Sequence, residues 1–350
     1  VTVSELCALV CLLVRKKVCK RIIDTSAGDT STDRVAVIAK RLIKSCIPVS
    51  AAAIVVNLSS FIDLITIPRC LNFALSSDPG YFAACFSDII KAQGGAVRLA
   101  NFMYGSYTGL SWTMFMLIPS FTAMFGRSAL PQIAGAWTLG NRKEFERKVT
   151  VVLRSNFVIG FPLYLGLSAM SRQILEFLFS GRQQEVTVSA TSLFILGLGG
   201  VFLTLSSTFI SIFQVIGRSD LPVKLMMPGC AIKLIFNVFT ISVPAINING
   251  AAVSTVIMYA AVALGGYFAL ENVTGIDFHI IRRMAVPLSA GIVCAVVSRI
   301  VYGFVGESVN AVTALFLPIA SGGAVYIILL IIFNEINLKS LLNRQKRKKF

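Results

Sequence analysis

The chain has 350 residues, of which 56% are hydrophobic and 14% charged, with mean hydropathy +0.80 and a formal net charge of +16. So apolar a composition is that of a membrane protein rather than a soluble domain. A nucleic-acid surface is excluded, because it would interleave aromatic and basic residues on a soluble face, and no such stretch occurs.

The first piece, Val1–Val14, is apolar but too short to span a bilayer, and it runs into Arg15-Lys16-Lys17. It is expected to be the end of a truncated membrane helix whose start lies before Val1. A signal peptide has the reverse order, basic first and apolar second. Residues 15–41 are expected to form a basic cytoplasmic linker, polar throughout 24–34. Eight apolar stretches of membrane-spanning length follow, at about 42–68, 99–126, 149–171, 186–216, 222–243, 250–270, 284–304 and 309–333. Residues 99–126, 186–217, 244–270 and 308–334 contain no Lys, Arg, Asp or Glu. After the first stretch, Asp78-Pro79-Gly80 predicts a turn and 81–92 a short amphipathic helix. Asn247–Gly250 predicts a tight turn between the fifth and sixth stretches. The fold class is all-α, a polytopic transmembrane helical bundle.

Basic residues of short loops stay on the cytoplasmic side, so their distribution sets the orientation. Arg15–Lys44, the 127–148 connection, the 218–224 and 271–283 loops and the tail from Lys339 hold 24 of the 32 Lys and Arg. The opposite loops hold five: Arg69, Lys91, Arg98, Arg172 and Arg182. Arg154, Lys233 and Arg299 fall within or at the edge of apolar segments. The basic loops and the C-terminus are therefore expected in the cytoplasm, with the basic tail 335–350 on anionic headgroups. Most of the +16 is this bias.

The eight cysteines form no CxxC pair and no Cys/His cluster, and His279 is the sole histidine. Metal and nucleophile chemistry thus has no partner residues, and no cofactor is expected. Cys70 and Cys85 share an outer loop and have the option of pairing, although use as small apolar residues weighs more. Pro48, Pro119, Pro162, Pro228, Pro287 and Pro318 fall inside apolar stretches. Each removes a backbone hydrogen bond, tolerated in lipid where neighbours or a cavity satisfy the freed carbonyl. Transporters use such bent helices around their sites, and membrane helices in general are also richer in proline.

Taken in order, the punctuation of the chain resembles a known family. It comprises Arg41-Leu42-Ile43-Lys44-Ser45-Cys46-Ile47-Pro48, Ile62-Asp63, Ile67-Pro68-Arg69-Cys70-Leu71, Tyr104-Gly105 and Leu117-Ile118-Pro119. Ala129-Leu130-Pro131-Gln132-Ile133-Ala134, Gly140-Asn141, Gly160-Phe161-Pro162 and Ile174–Gly181 follow. Gln214-Val215-Ile216-Gly217-Arg218, Pro222, Lys233-Leu234-Ile235-Phe236-Asn237 and Ile248–Thr255 close the set. It resembles the exporters of the multidrug/oligosaccharidyl-lipid/polysaccharide superfamily, in the branch of sporulation-type exporters and lipid II flippases. The resemblance implies fourteen helices in two six-helix lobes around a cavity, plus a terminal pair. Residues 42–270 would be the second lobe and 271–334 the two additional helices, with the first lobe missing from this sequence.

The implied function is translocation of a polyprenyl-diphosphate-linked oligosaccharide by alternating access in a bacterial inner membrane, without covalent chemistry. Its partners would be membrane lipids, the lipid-linked glycan and the missing lobe. Alternatives are a cation-coupled multidrug exporter of the same superfamily, which needs more buried carboxylates, and a non-transporting scaffold or glycan polymerase of envelope synthesis.

A headgroup cavity needs cations and polar groups at depth, and intramembrane ionisable residues are the first candidates. Lys233 either binds the headgroup or snorkels or meets a carbonyl. Asp63 binds a coupling cation or pairs with a cation such as Arg69. Arg69 and Arg98 stand where a diphosphate would leave, or are interfacial arginines. Asn57 and Asn237 contact sugar or bond between helices. Arg299 is expected at the outer interface. Residues 99–126 lack the arginines that lipid II flippases carry in this helix, which favours the sporulation-type branch. The expected orientation has a direct test. With the eight native cysteines replaced by serine, an impermeant thiol reagent should label Arg182→Cys from outside intact cells and leave Lys143→Cys unlabelled until the membrane is opened.

Overall fold

The computed structural model describes residues 35–93, 95, 98–305 and 310–333, so Val1–Val14 and the basic tail lie outside the described residues. The chain divides into two units, 1–47 and 48–350. The first is described only as the helical residues 35–47, and the packing below concerns the second.

Among the described residues all regular structure is helical, as lipid demands of a backbone that must satisfy its own polar groups. We number the helices α1 (Val35–Ser77), α2 (Pro79–Cys85), α3 (Ser87–Gln93), α4 (Leu99–Ser106), α5 (Thr113–Thr138), α6 (Arg142–Ala169), α7 (Ser171–Leu178), α8 (Gln183–Val215), α9 (Asp220–Ile241), α10 (Asn249–Thr274), α11 (Ile280–Val305) and α12 (Ala311–Ile332). A π-helical turn, Tyr107–Trp112, joins α4 to α5 without a break. Among the described residues seven helices are long and apolar enough to cross a membrane: the Asn57–Ser77 part of α1, α6, α8, α9, α10, the Arg282–Val305 part of α11, and α12. The protein is a multi-pass membrane protein. The eighth expected span, 99–126, is helical but carries the π turn, and it runs on to Thr138 through Pro119 and Pro131.

Local chemistry corrects two expectations. Asp78-Pro79-Gly80 does not form a free-standing turn. Asp78 caps α2, its Oδ1 accepting from the Tyr81 N–H at 3.0 Å, with Pro79 in the first turn, where a missing N–H costs nothing. The amphipathic stretch 81–92 is split between α2 and α3. Elsewhere boundaries follow the sequence. Asn141 caps α6 through Glu144 N–H at 3.1 Å, after Gly140 has turned the chain at φ 67°. Gly217 (φ 79°) ends α8 in the same way, and Asn247 (φ 44°) makes the tight turn before α10.

Helix α8 is the axis of the unit. Two-thirds of its most apolar window is buried (67%), against 28% for α11 and α12. Small residues permit this crowding, as helix packing in lipid requires. A Cβ on Gly200 would sit inside the Tyr164 ring of α6, and one on Gly199 would collide with Val256 of α10. Hydroxyls then tie the layers: Ser168 Oγ donates to Phe194 O at 2.8 Å, and Tyr164 OH meets Thr204 Oγ1 at 2.9 Å. The π turn is clamped from the same helix. Ser111 Oγ donates to Ser189 O at 2.8 Å while Ser189 Oγ donates to Ser106 O at 2.9 Å. Helix α11 packs on α6 and α12, and Tyr326 OH of α12 reaches Val158 O at 2.8 Å.

Gly200→Ala should therefore lower stability by about 1–3 kcal/mol, the usual cost of overpacking. Thermal unfolding in detergent, compared with Gly105→Ala, where a Cβ meets nothing within 4 Å, measures it.

Candidate functional site

Apolar helices α1 and α9 each carry a short polar stripe at helical spacing, Ser59, Asp63 and Thr66 on one and Lys233 and Asn237 on the other, and α10 carries the adjacent Ser254 and Thr255. The fold turns these stripes toward one another. Lys233 is fully buried, at 0% exposure, and donates from Nζ to Asp63 Oδ2 at 2.6 Å and to Ser59 Oγ at 2.9 Å. The face of Trp112, the last residue of the π turn, lies 5.8 Å from the same ammonium, within cation–π range. The second carboxylate oxygen, Asp63 Oδ1, accepts from Asn237 Nδ2 at 3.0 Å. Asn237 also donates to Thr66 Oγ1 at 2.9 Å, and its own oxygen accepts from Ser254 Oγ. Ser59 Oγ donates onward to Met258 Sδ at 3.6 Å, and Thr66 Oγ1 to Ile62 O at 2.6 Å. Asn237, Ser254 and Thr255 are fully buried and Asp63 is 7% exposed.

The network is neutral in sum and closed. Both carboxylate oxygens, both amide hydrogens and the amide oxygen have partners, which is the condition for keeping charge inside a low-dielectric medium. The nearby Tyr107 hydroxyl of the π turn is buried without a hydrogen-bond partner. Chemically the arrangement holds one cationic and one anionic group in mutual neutralisation between three helices. Whatever separates the helices exposes both charges.

Of the residues singled out from the sequence, Lys233, Asp63 and Asn237 meet in this one cluster. Lys233 neither snorkels nor rests on a carbonyl, and the cation that Asp63 meets is Lys233 of α9, not Arg69. Asn57, Arg69 and Arg98 are exposed, and neither arginine is bonded to the network. Arg299 is exposed on α11. Ser59, Thr66, Ser254 and Trp112 were not singled out. The i, i+4, i+7 spacing of Ser59, Asp63 and Thr66 was the signal available for the first two. Cys70 and Cys85 are both free thiols. His279 Nδ1 faces Asp277 Oδ2 at 2.7 Å in the exposed loop before α11. Among the described residues no group of three His, Cys, Asp or Glu is placed to hold a metal ion.

No protein-family model matches the chain. The lipid II flippase MurJ of Bacillus subtilis is similar to it, at 22% identity over 243 residues that cover 67% of this chain and 44% of the flippase. An uncharacterized membrane protein of Methanocaldococcus jannaschii is 28% identical over 153 residues, 44% of this chain and 29% of that protein. A solved structure of the lipid II flippase MurJ in an inward closed conformation superposes with TM-score 0.53 at 19% identity, covering 67% of this chain and 50% of that one. The chain thus spans half or less of the length of the relatives it matches. The superposition gives the two a common fold.

Removing one charge and leaving the other is the costly change. Asp63→Ala should destabilise the protein by about 3–5 kcal/mol, by stranding the Lys233 ammonium. The double variant Asp63→Leu with Lys233→Met should recover most of that loss, because an apolar pair needs no counter-charge. Unfolding curves of both variants in one detergent test this, and a double variant no more stable than Asp63→Ala contradicts it.

Proposed function

We propose that this chain is the second lobe and terminal helix pair of a flippase that carries a polyprenyl-diphosphate-linked oligosaccharide across a bacterial inner membrane by alternating access. The observation that carries the reading is the buried Lys233–Asp63 pair, 2.6 Å apart and joining α9 to α1, in a chain sharing the fold of a lipid II flippase. A diphosphate headgroup needs a cation at depth, and a cation at depth needs neutralisation while no substrate is bound. Asp63 fills that second role. When α1 and α9 part, Lys233 turns to the diphosphate, and the freed Asp63 takes up a proton or a metal cation to remain neutral. The two candidate roles, headgroup cation and coupling carboxylate, thus become alternate states of one pair.

Residues 42–270 form the lobe in this reading, 271–334 the additional pair, and the basic loops with the C-terminus face the cytoplasm. Arg69 and Arg98, exposed near the ends of α1 and α4, meet the diphosphate as it leaves, and Asn57 with Asn237 offers hydrogen bonds to sugar. The absence of arginine from 99–126 favours the sporulation-type branch of these exporters in this reading.

The test is restoration of outward lipid-linked precursor in flippase-depleted cells by the full-length protein. Restoration is expected, with Lys233→Met lowering it by at least about tenfold and Lys233→Arg retaining a measurable part, as loss of one charge-assisted contact predicts. Full activity in Lys233→Met removes Lys233 from the transport path. No restoration by a protein shown to be inserted in the membrane overturns the flippase reading.

A further inference from the structure

A separate cavity of about 510 Å³, lined by both polar and apolar side chains, lies where the end of α6, the start of α7, the early turns of α8 and the last third of α11 meet. Its lining includes Arg172 and Arg299 and no acidic residue. Arg172 donates its Nε–H to Glu176 at 2.8 Å. Arg299 has no carboxylate within ion-pair distance among the described residues. Gln173, next to Arg172 on α7, also lines the cavity, and its amide Oε1 is buried and accepts no hydrogen bond. Such an orphaned oxygen costs about 1–3 kcal/mol unless a ligand donates to it. The cavity therefore asks for two things at once, anionic oxygens for Arg299 and a hydroxyl hydrogen for Gln173. A phosphodiester bearing a hydroxylated headgroup supplies both.

The surroundings fix the source. Arg299 lies less than two turns before the end of α11 at Val305, a depth at which headgroups rather than chain ends are met. From it an exposed apolar strip, Ile300, Val296 and Ile292, each about half exposed (52%, 51% and 50%), runs down one face of α11. Val296 itself borders the cavity. A soluble phosphate makes no use of that strip, whereas an acyl chain covers it.

We propose that this cavity binds the phosphodiester headgroup of an anionic phospholipid. Arg299 holds the phosphate, Gln173 accepts from a headgroup hydroxyl, and the Ile292–Val296–Ile300 strip carries a chain. The site is independent of the Lys233 network and of the transport reading.

Native mass spectrometry of the full-length protein in detergent, with phosphatidylglycerol or phosphatidylcholine added, tests it. Phosphatidylglycerol should be retained roughly tenfold more strongly, the ratio expected of one charge-assisted contact. The preference should fall to near parity in Arg299→Gln, weaken in Gln173→Leu, and survive in Arg182→Gln, an exposed arginine outside the cavity. Thermal unfolding without lipid checks that the variants are folded. Equal retention of the two lipids by the wild type, or equal loss in Arg182→Gln and Arg299→Gln, overturns the site. Protection by inorganic phosphate alone, without protection by lipid, overturns the lipid assignment in favour of a soluble phosphate.

Discussion

An ammonium group enclosed by apolar helices is tolerable only with a counter-charge at contact distance and its remaining protons engaged. Lys233 meets that condition through three side chains: Asp63 and Ser59 from α1, and the ring of Trp112 at the end of the π turn. Lys233 sits on α9, and Asn237, one turn further along, draws in Ser254 of α10. Helix α1 is thus tied to α9 chiefly by these charged and polar bonds, whereas α9 also packs closely on α10, with Gly229 against Val262. An apolar seam tolerates small slips, but a closed set of charged and polar bonds has one geometry and otherwise opens.

The rest of the unit is assembled differently. Around α8 the contacts are glycines against rings and hydroxyls against carbonyls, each neutral and short-ranged. Close packing of that kind resists deformation, because a void or a clash is felt at the scale of a methyl group. The unit accordingly combines a close-packed centre, α6, α8, α9 and α10 with the π turn, and a charge-held border along α1. Movement of the border relative to the centre is the motion that the distribution of bonds favours.

Membrane character and the place of most helices were legible because twenty apolar residues without charge have few other uses. Boundaries were less so. Pro68-Arg69 looked like a helix end, yet α1 continues to Ser77, where Ser76 and Ser77 turn their hydroxyls onto Phe73 O. Asp78-Pro79-Gly80 looked like a turn because its residues serve turns and helix starts equally well, and only the Tyr81 N–H distinguishes the two. In the site, Lys233 and Asp63 stood out as charges in apolar runs, but their pairing was hidden. They are 170 residues apart in sequence, and Arg69, six residues from Asp63, was the nearer cation along the chain. Ser59, Thr66 and Ser254 were masked by the abundance of hydroxyl residues in all these helices, most of which bond to their own backbone.

The π turn has a consequence for how this chain tolerates change in length. It holds one residue more than an α turn would between the same flanks, so the helix phase shifts by about 100° across it. The face that α5 presents is therefore not the one projected from α4, and the shift is stabilised from outside by the paired bonds to Ser189. A one-residue deletion within 107–112 is absorbed by relaxation of that turn to α geometry, with Thr113 onward kept in register. In a packed helix such a loss ordinarily rotates every later side chain. Here the register of α5 is insulated from the length of the segment before it.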